Sequence, residues 1–398
     1  MSLVRRLMRL PGGLPERSYS LLAAALALAA GGGLVLLIGP QLAPDSRTYF
    51  DQATLLTEGG LDPFLEGVLG WPYLAVVATV AAAKGLFGAG WWAAMIGLNL
   101  TCLAATGALV GRLVHRLVEG PWLRLAGLML LPAGFDVLLW NRFVCTEPLF
   151  TLLLVGAISL AAERLSVRRG VLLGVLLLAM VAWRPTGLVF VAALGLGAAL
   201  PGLAWGLQRW RGRPSGRLAL AIWLAGLLAI ALTFAAIMRH PGLWPFGPLK
   251  AQFDYARWSY DLGQVVWGRH ETYHPRPHGY LDYLAIALDR CVHAFALWAD
   301  GHSLVHRLYS LLYLGPLFAL TAWALGLWSA GGRGLTPAQG RFAAVAGGAA
   351  LAFILLVALL QVEFDWRYRA PVLPVLMVVA LVGASALAGR TARPRGGA

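Results

Sequence analysis

The sequence predicts an all-α, polytopic integral membrane protein of about ten transmembrane helices. Three observations carry that expectation. Of its 398 residues 59% are hydrophobic and only 13% charged, against roughly 25% charge in a soluble domain. The mean hydropathy is +0.71. Its apolar runs approach the roughly 20 residues that a helix needs to cross a hydrocarbon core, and the short alternating strands of a membrane barrel are not evident.

The spans fall at 19–39, 91–111, 124–140, 147–163, 170–183, 187–207, 218–238, 304–328, 341–361 and 369–388. The first follows Arg5, Arg6 and Arg9 and has no clear cleavage pattern behind it, so it reads as an uncleaved span. The apolar stretch from Trp71 to Phe87 contains Lys84 and follows an acidic segment. It reads as a helix lying along the outer surface with its apolar face in the interface; a short true span is the other reading. Charge favours the first, because an extra span would move the cluster Arg209, Arg211, Arg213 and Arg217 outside, against the positive-inside bias.

The net charge of +14 would suit nucleic acid. Most basic residues instead sit in short loops between spans, where cytoplasmic loops need them, so membrane lipids rather than nucleic acid are the expected surroundings. The whole chain, 1–398, reads as one membrane domain with two large outer loops. The first, 40–90, is acidic and expected to carry amphipathic surface helices. The second, 239–303, is rich in Trp, Tyr and His, residues suited to headgroup depth. Between the fifth and sixth spans, Trp183-Arg-Pro-Thr-Gly187 interrupts the helix ladder at proline, as a broken helix lining a cavity does. No phosphate-cradling glycine loop is present, and no soluble segment is large enough for a nucleotide fold. An activated substrate must arrive already attached to a carrier.

The candidate site residues lie beside span ends. Asp45 follows Pro44 just beyond the first span. It is either a helix cap or a general base held where lipid headgroup meets water, with Ser46 as a cap for a helix starting near Arg47. Tyr49 and Asp51 follow on that helix as substrate-loop candidates, Asp51 as a surface or supporting group. Glu147, in Thr146-Glu-Pro-Leu-Phe150, either complements a helix dipole or serves a cavity, since an acid at the edge of hydrocarbon is costly without a partner. Arg184, and Arg367 and Arg369 around Tyr368, gather on the same outer side. They act either as interfacial anchors or as a site for a lipid-linked phosphate, whose oxygens fit the guanidinium fork.

His270-Glu-Thr-Tyr-His274 has the spacing of a zinc-peptidase helix, with Glu271 as base. Pro275 and Pro277 follow at once, no third ligand is fixed, and the surroundings are polar and aromatic. A substrate-loop role, or a divalent metal bridging phosphate, suits His270 and His274 better than proteolysis. No cofactor is otherwise implied.

Taken in order, the first outer loop with Pro44-Asp-Ser-Arg-Thr-Tyr49, the helix beginning Trp71-Pro-Tyr-Leu74, Thr146-Glu-Pro-Leu-Phe150, Arg184-Pro-Thr-Gly187 and Arg367-Tyr-Arg-Ala-Pro-Val-Leu-Pro374 resemble the polytopic glycosyltransferases of the GT-C fold. These use polyprenyl-phosphate-linked sugars, and the resemblance is to the broad set around protein O-mannosyltransferases, aminoarabinose transferases and GPI-anchor mannosyltransferases. It implies that Asp45 activates the acceptor, that Glu147 shapes the sugar or acceptor site, and that the Arg-Tyr near the last span meets donor phosphate. Asp-Ser stands here where some members carry Asp-Glu, which departs from the protein-mannosyltransferase pattern. The implied activity is inverting transfer of a hexose or pentose from a polyprenyl-phosphate donor to a hydroxyl of a lipid, glycan or protein acceptor. The expected place is a bacterial inner membrane, with the site facing the periplasm or cell exterior. A transporter or flippase for a lipid-linked sugar is the rival reading, followed by a non-catalytic scaffold and the metallopeptidase.

Overall fold

The structure, a computed structural model, describes residues 14–66, 73–163, 166–184, 186–211, 280–297, 303–332, 334–360 and 366–391. Its helices are α1 (Glu16–Ile38), α2 (Pro44–Gly59), α3 (Leu61–Glu66), α4 (Leu74–Phe87), α5 (Trp91–Leu117), α6 (Pro121–Ala133), α7 (Phe135–Leu138), α8 (Glu147–Ala161), α9 (Val167–Trp183), α10 (Thr186–Arg211), α11 (Tyr280–Ala294), α12 (Leu304–Ser329), α13 (Pro337–Leu360) and α14 (Leu373–Thr391). The fold is all-α, as the sequence predicts. Five helical stretches among the described residues are long and apolar enough to cross a membrane, or six if the bent pair α6–α7 counts as one. These are the helices of a polytopic membrane protein.

Ten spans is a finer count than these helices carry. The span drawn over 218–238 lies outside the described residues, as do His270, Glu271 and His274. Helix α8 has 15 residues, about 22 Å at 1.5 Å per residue, well short of a core about 30 Å thick.

The most extensive packing joins α1 to α5, α10 to α13 and α12 to α14. The first pair approaches closely because both faces are small. Gly107 and Gly111 of α5 lie against Ala23 and Ala27 of α1; a Cβ added at Gly107 would come 2.9 Å from both the Ala23 carbonyl oxygen and the Ala27 methyl, and one at Gly111 would come 2.7 Å from the Ala23 methyl. Small residues spaced four apart on facing helices are a membrane packing device.

Helix α4 differs from the amphipathic helix expected over 71–87. Its only polar side chains are Thr79 and Lys84, and it buries Val76, Val77, Val80 and Ala83. Through the turn Gly88–Gly90 it leads into α5, so that Leu74–Leu117 forms one candidate crossing rather than two. Lys84, the residue that argued against a span, turns to α2: its Nζ donates to Thr54 Oγ1 at 2.6 Å and sits 4.0 Å from the Phe50 ring centroid.

Two further features depart from the sequence reading. The expected loop 239–303 contains α11, which packs on α13, where Arg290 donates to the Ala358 carbonyl. The span expected over 124–140 is bent by 45° between α6 and α7, near Pro132. Carbonyls at the end of α6 are taken up by α12: Tyr309 donates to Ala133 and Tyr313 to Leu130, at 3.0 and 2.6 Å. A broken helix is tolerated in a membrane protein where neighbours satisfy its backbone in this way.

Candidate functional site

The site is assembled from the start of α2, the start of α8, the end of α9 and the turn before α14. Helix α2 starts at Pro44, three residues earlier than the expected start near Arg47, with proline in its first turn. Asp45 is therefore inside the first turn, and Ala43 holds the cap position. Ser46 is not the N-cap residue; from the third helical position its hydroxyl accepts from the Ala43 N–H at 2.9 Å and donates to the Val144 carbonyl at 2.7 Å. Ser46, Tyr49 and Ala53 form the buried stripe of α2, the spacing of one helix face. Asp45 is half-buried and Asp51 is exposed.

The segment joining the Leu139–Arg142 turn to α8 has no regular ladder, yet its backbone is satisfied. Gln41 N–H reaches the Arg142 carbonyl at 2.9 Å. Asn99 Nδ2 reaches Phe143 at 2.7 Å, and Trp183 Nε1 reaches Thr146 at 2.9 Å. Glu147 is then the first residue of α8, with Pro148 in the first turn. Arg184 precedes Pro185 and is extended, at φ −160° and ψ 140°, the conformation a following proline imposes. That break swings Arg184 out of the α9 helix path.

These segments converge. Arg184 Nη1 lies 2.6 Å from Glu147 Oε1, with side chains 6% and 2% exposed. Arg367 Nε contacts the same Glu147 oxygen. On its other side, Arg367 Nη1 lies 2.6 Å from Asp45 Oδ2, and here the side chains are 20% and 39% exposed. Two carboxylates thus face two guanidiniums in a chain that runs from a buried end, Arg184–Glu147, to an accessible end, Arg367–Asp45. Aromatic rings wall it: the Arg184 guanidinium carbon is 5.4 Å from the Tyr368 centroid and 5.9 Å from that of Phe150, and that of Arg367 is 5.9 Å from Trp140. Such placement favours a cation. Tyr49 and Tyr73 pack together beside the cluster, 6.0 Å between centroids. Burial, reinforced by Tyr73, Asp45 and Glu147, pushes the Tyr49 phenol well above its ordinary range, so Tyr49 keeps its proton at any physiological pH.

Behind Glu147 lies a cavity of about 10 Å³, lined by Thr106, Trp140, Asn141 and Thr151 among others. That is space for about one water molecule, far too little for a sugar. The accessible side of the cluster is the Asp45–Arg367 side.

Asp45, Glu147, Arg184 and Arg367 are thus brought together, with Tyr368 and Tyr49 alongside. Arg369 has a different setting. It is 2% exposed, its Nη2 lies 2.7 Å from Asp136 Oδ2, and its Nη1 donates to the carbonyls of Ala294 and Ala296 at 3.2 and 2.6 Å. It ties the turn before α14 to α7 and to the end of α11. Asp136 was missed in the sequence reading; a carboxylate inside an expected span is itself a signal that a buried cation must meet it.

The opposite ends of the same helices carry a second set of charges. Glu16 pairs with Arg112 and Arg116, and Glu163 with Arg116 and Arg169, all at 2.9–3.0 Å with side chains 35–52% exposed. Pairs this exposed contribute little to stability, but they gather Arg112 and Arg116 at the end of α5 and Arg169 at the start of α9 around Glu16 and Glu163. Among the described residues no group of three or more His, Cys, Asp or Glu side chains could hold a metal ion. No protein-family model matches the chain, and comparison with curated proteins and with solved structures finds no match.

Proposed function

We propose that the chain is an inverting glycosyltransferase that moves a sugar from a polyprenyl-phosphate donor to an acceptor hydroxyl at the extracytoplasmic face of a membrane. The observation that carries this reading is the Asp45–Arg367–Glu147–Arg184 series, drawn from four segments far apart in sequence and more exposed at its Asp45–Arg367 end than at Glu147–Arg184. A transferase of this kind needs a carboxylate to take a proton and a guanidinium to meet a phosphate, side by side and within reach of a lipid. The resemblance to GT-C glycosyltransferases names the same residues.

The chemistry follows from that pairing. The acceptor oxygen bonds to the anomeric carbon as its hydroxyl proton passes to the Asp45 carboxylate. The bond from the anomeric carbon to the phosphate oxygen breaks, and its electron pair leaves on that oxygen. Arg367 stabilises the charge gathering there, and Arg184 acts from behind by holding Glu147, which orients Arg367. A phosphate is already a good leaving group, so no separate acid is required, and one displacement inverts the anomeric centre. Arg369 has no part in this scheme, because Asp136 and two carbonyls engage it.

The test uses purified wild-type and Asp45→Asn protein in nanodiscs, with radiolabelled polyprenyl-phosphate sugars and a membrane-lipid extract. Wild type should move label to a new species, and Asp45→Asn should do so about 10²- to 10⁴-fold more slowly. Full transfer by a correctly folded Asp45→Asn protein would remove the base assignment. Uncleaved donor crossing sealed vesicles would favour a flippase instead.

A further inference from the structure

We infer that Arg367 is shared in turn between Asp45 and the phosphate of a lipid-carried ligand: the incoming phosphate displaces the Asp45 carboxylate, and the displacement releases the base. Naming Asp45 a base rests on the transferase reading; the exchange itself rests on the geometry.

The two carboxylates on Arg367 are not equivalent. Glu147 is 2% exposed and shared with Arg184, whereas Asp45 is 39% exposed. A phosphate approaching from the accessible side meets Arg367 where Asp45 already occupies Nη1. A guanidinium binds phosphate best through two parallel N–H groups, and Nε is committed to Glu147 on the buried side. The ligand's way onto the fork therefore runs through the nitrogen that Asp45 holds.

Charge points the same way. Asp45 and Glu147 already face the two guanidiniums, so a phosphate brought onto Arg367 beside Asp45 sets two negative groups against each other in a partly buried place. Turning the Asp45 side chain toward solvent relieves that repulsion. The cost is small, because Asp45 lies in the first turn of α2, where the helix dipole favours a carboxylate whether or not it is paired. The backbone need not follow, since the Ser46–Val144 hydrogen bond anchors the turn. The chemical consequence is an order of events. Until a phosphate arrives, Asp45 Oδ2 is engaged with Arg367, and its release opens that oxygen to an acceptor hydroxyl when a donor is in place.

The test uses a prenyl monophosphate without sugar, titrated into full-length protein in nanodiscs. Asp45→Asn should bind it about fivefold more tightly than wild type, the loss of one partly exposed competing ion pair. In an Arg367→Gln background the same change should leave the dissociation constant unmoved; Arg367→Met, which also removes the cation, serves that comparison if the glutamine protein does not fold. Equal or weaker binding by Asp45→Asn would overturn the exchange. So would an undiminished gain in the Arg367 background, which would show that Asp45 acts only through its general negative field. Failure of the transferase reading would appear separately, as no sugar transfer by wild type, because this probe carries no sugar.

Discussion

Arg184 and Glu147 stand 37 residues apart in the chain and meet at 2.6 Å in a place almost closed to solvent. Two helix junctions make the contact. Helix α9 ends at Trp183 with Arg184 extended ahead of a proline in the sequence, while Glu147 opens α8 with Pro148 next to it. Neither side chain would be tolerated there alone.

Removing one partner of such a pair should therefore destabilise the protein strongly. Glu147→Gln leaves Arg184 buried without its counter-charge, at a cost of about 3–5 kcal/mol. Thermal unfolding in detergent is the measurement. A midpoint unchanged from wild type would mean that the cluster is better hydrated than its burial states.

The Arg369–Asp136 pair should behave as a structural clamp. Arg369→Met alone leaves Asp136 unpaired and should cost about 3–5 kcal/mol, while the double variant Arg369→Met with Asp136→Leu should recover much of that loss. Thermal midpoints test the recovery, and sugar transfer by the double variant tests its meaning. Restored stability without restored transfer would return Arg369 to the donor site.

The close approach of α1 and α5 predicts an effect far from the cluster. Gly107→Leu drives a side chain into the Ala23 carbonyl and the Ala27 methyl, and overpacking of this kind costs about 1–3 kcal/mol or more. Gly97→Leu, on the same helix with nothing within 4 Å of an added Cβ, should be near neutral. Equal melting of the two variants would mean that the helices separate more easily than their packing implies.

Much of this site is legible in the sequence for one reason. In a chain with so little charge, a polar residue at a helix junction has nowhere inexpensive to go except to another of its kind. Asp45, Glu147, Arg184 and Arg367 each stand at such a junction, and they find one another. Arg369 follows the same rule and finds Asp136, a partner hidden because it lies within an apolar run. The start of α2 lies earlier than expected because Ser46, read as the cap, sits in the first turn and reaches back to the Ala43 N–H and across to the Val144 carbonyl. Lys84 misled for a similar reason: a lysine in an apolar stretch looks unpayable until Thr54 and Phe50 of a neighbouring helix receive it. The helix α11 lies in a stretch where aromatic residues mask an apolar face that only α13 reveals.

The segment before α8 is held from outside largely through its main chain. Arg142, Phe143, Val144 and Thr146 each offer a carbonyl, to Gln41, Asn99, Ser46 and Trp183 respectively. The information that holds this loop is thus written largely at the receiving positions. Ser46, Asn99 and Trp183 would tolerate few replacements, and Val144, 1% exposed in the core, is held by its side chain as well. A loop stitched in that manner can vary at its partly exposed Arg142 and Phe143 side chains without loosening the carboxylate it delivers.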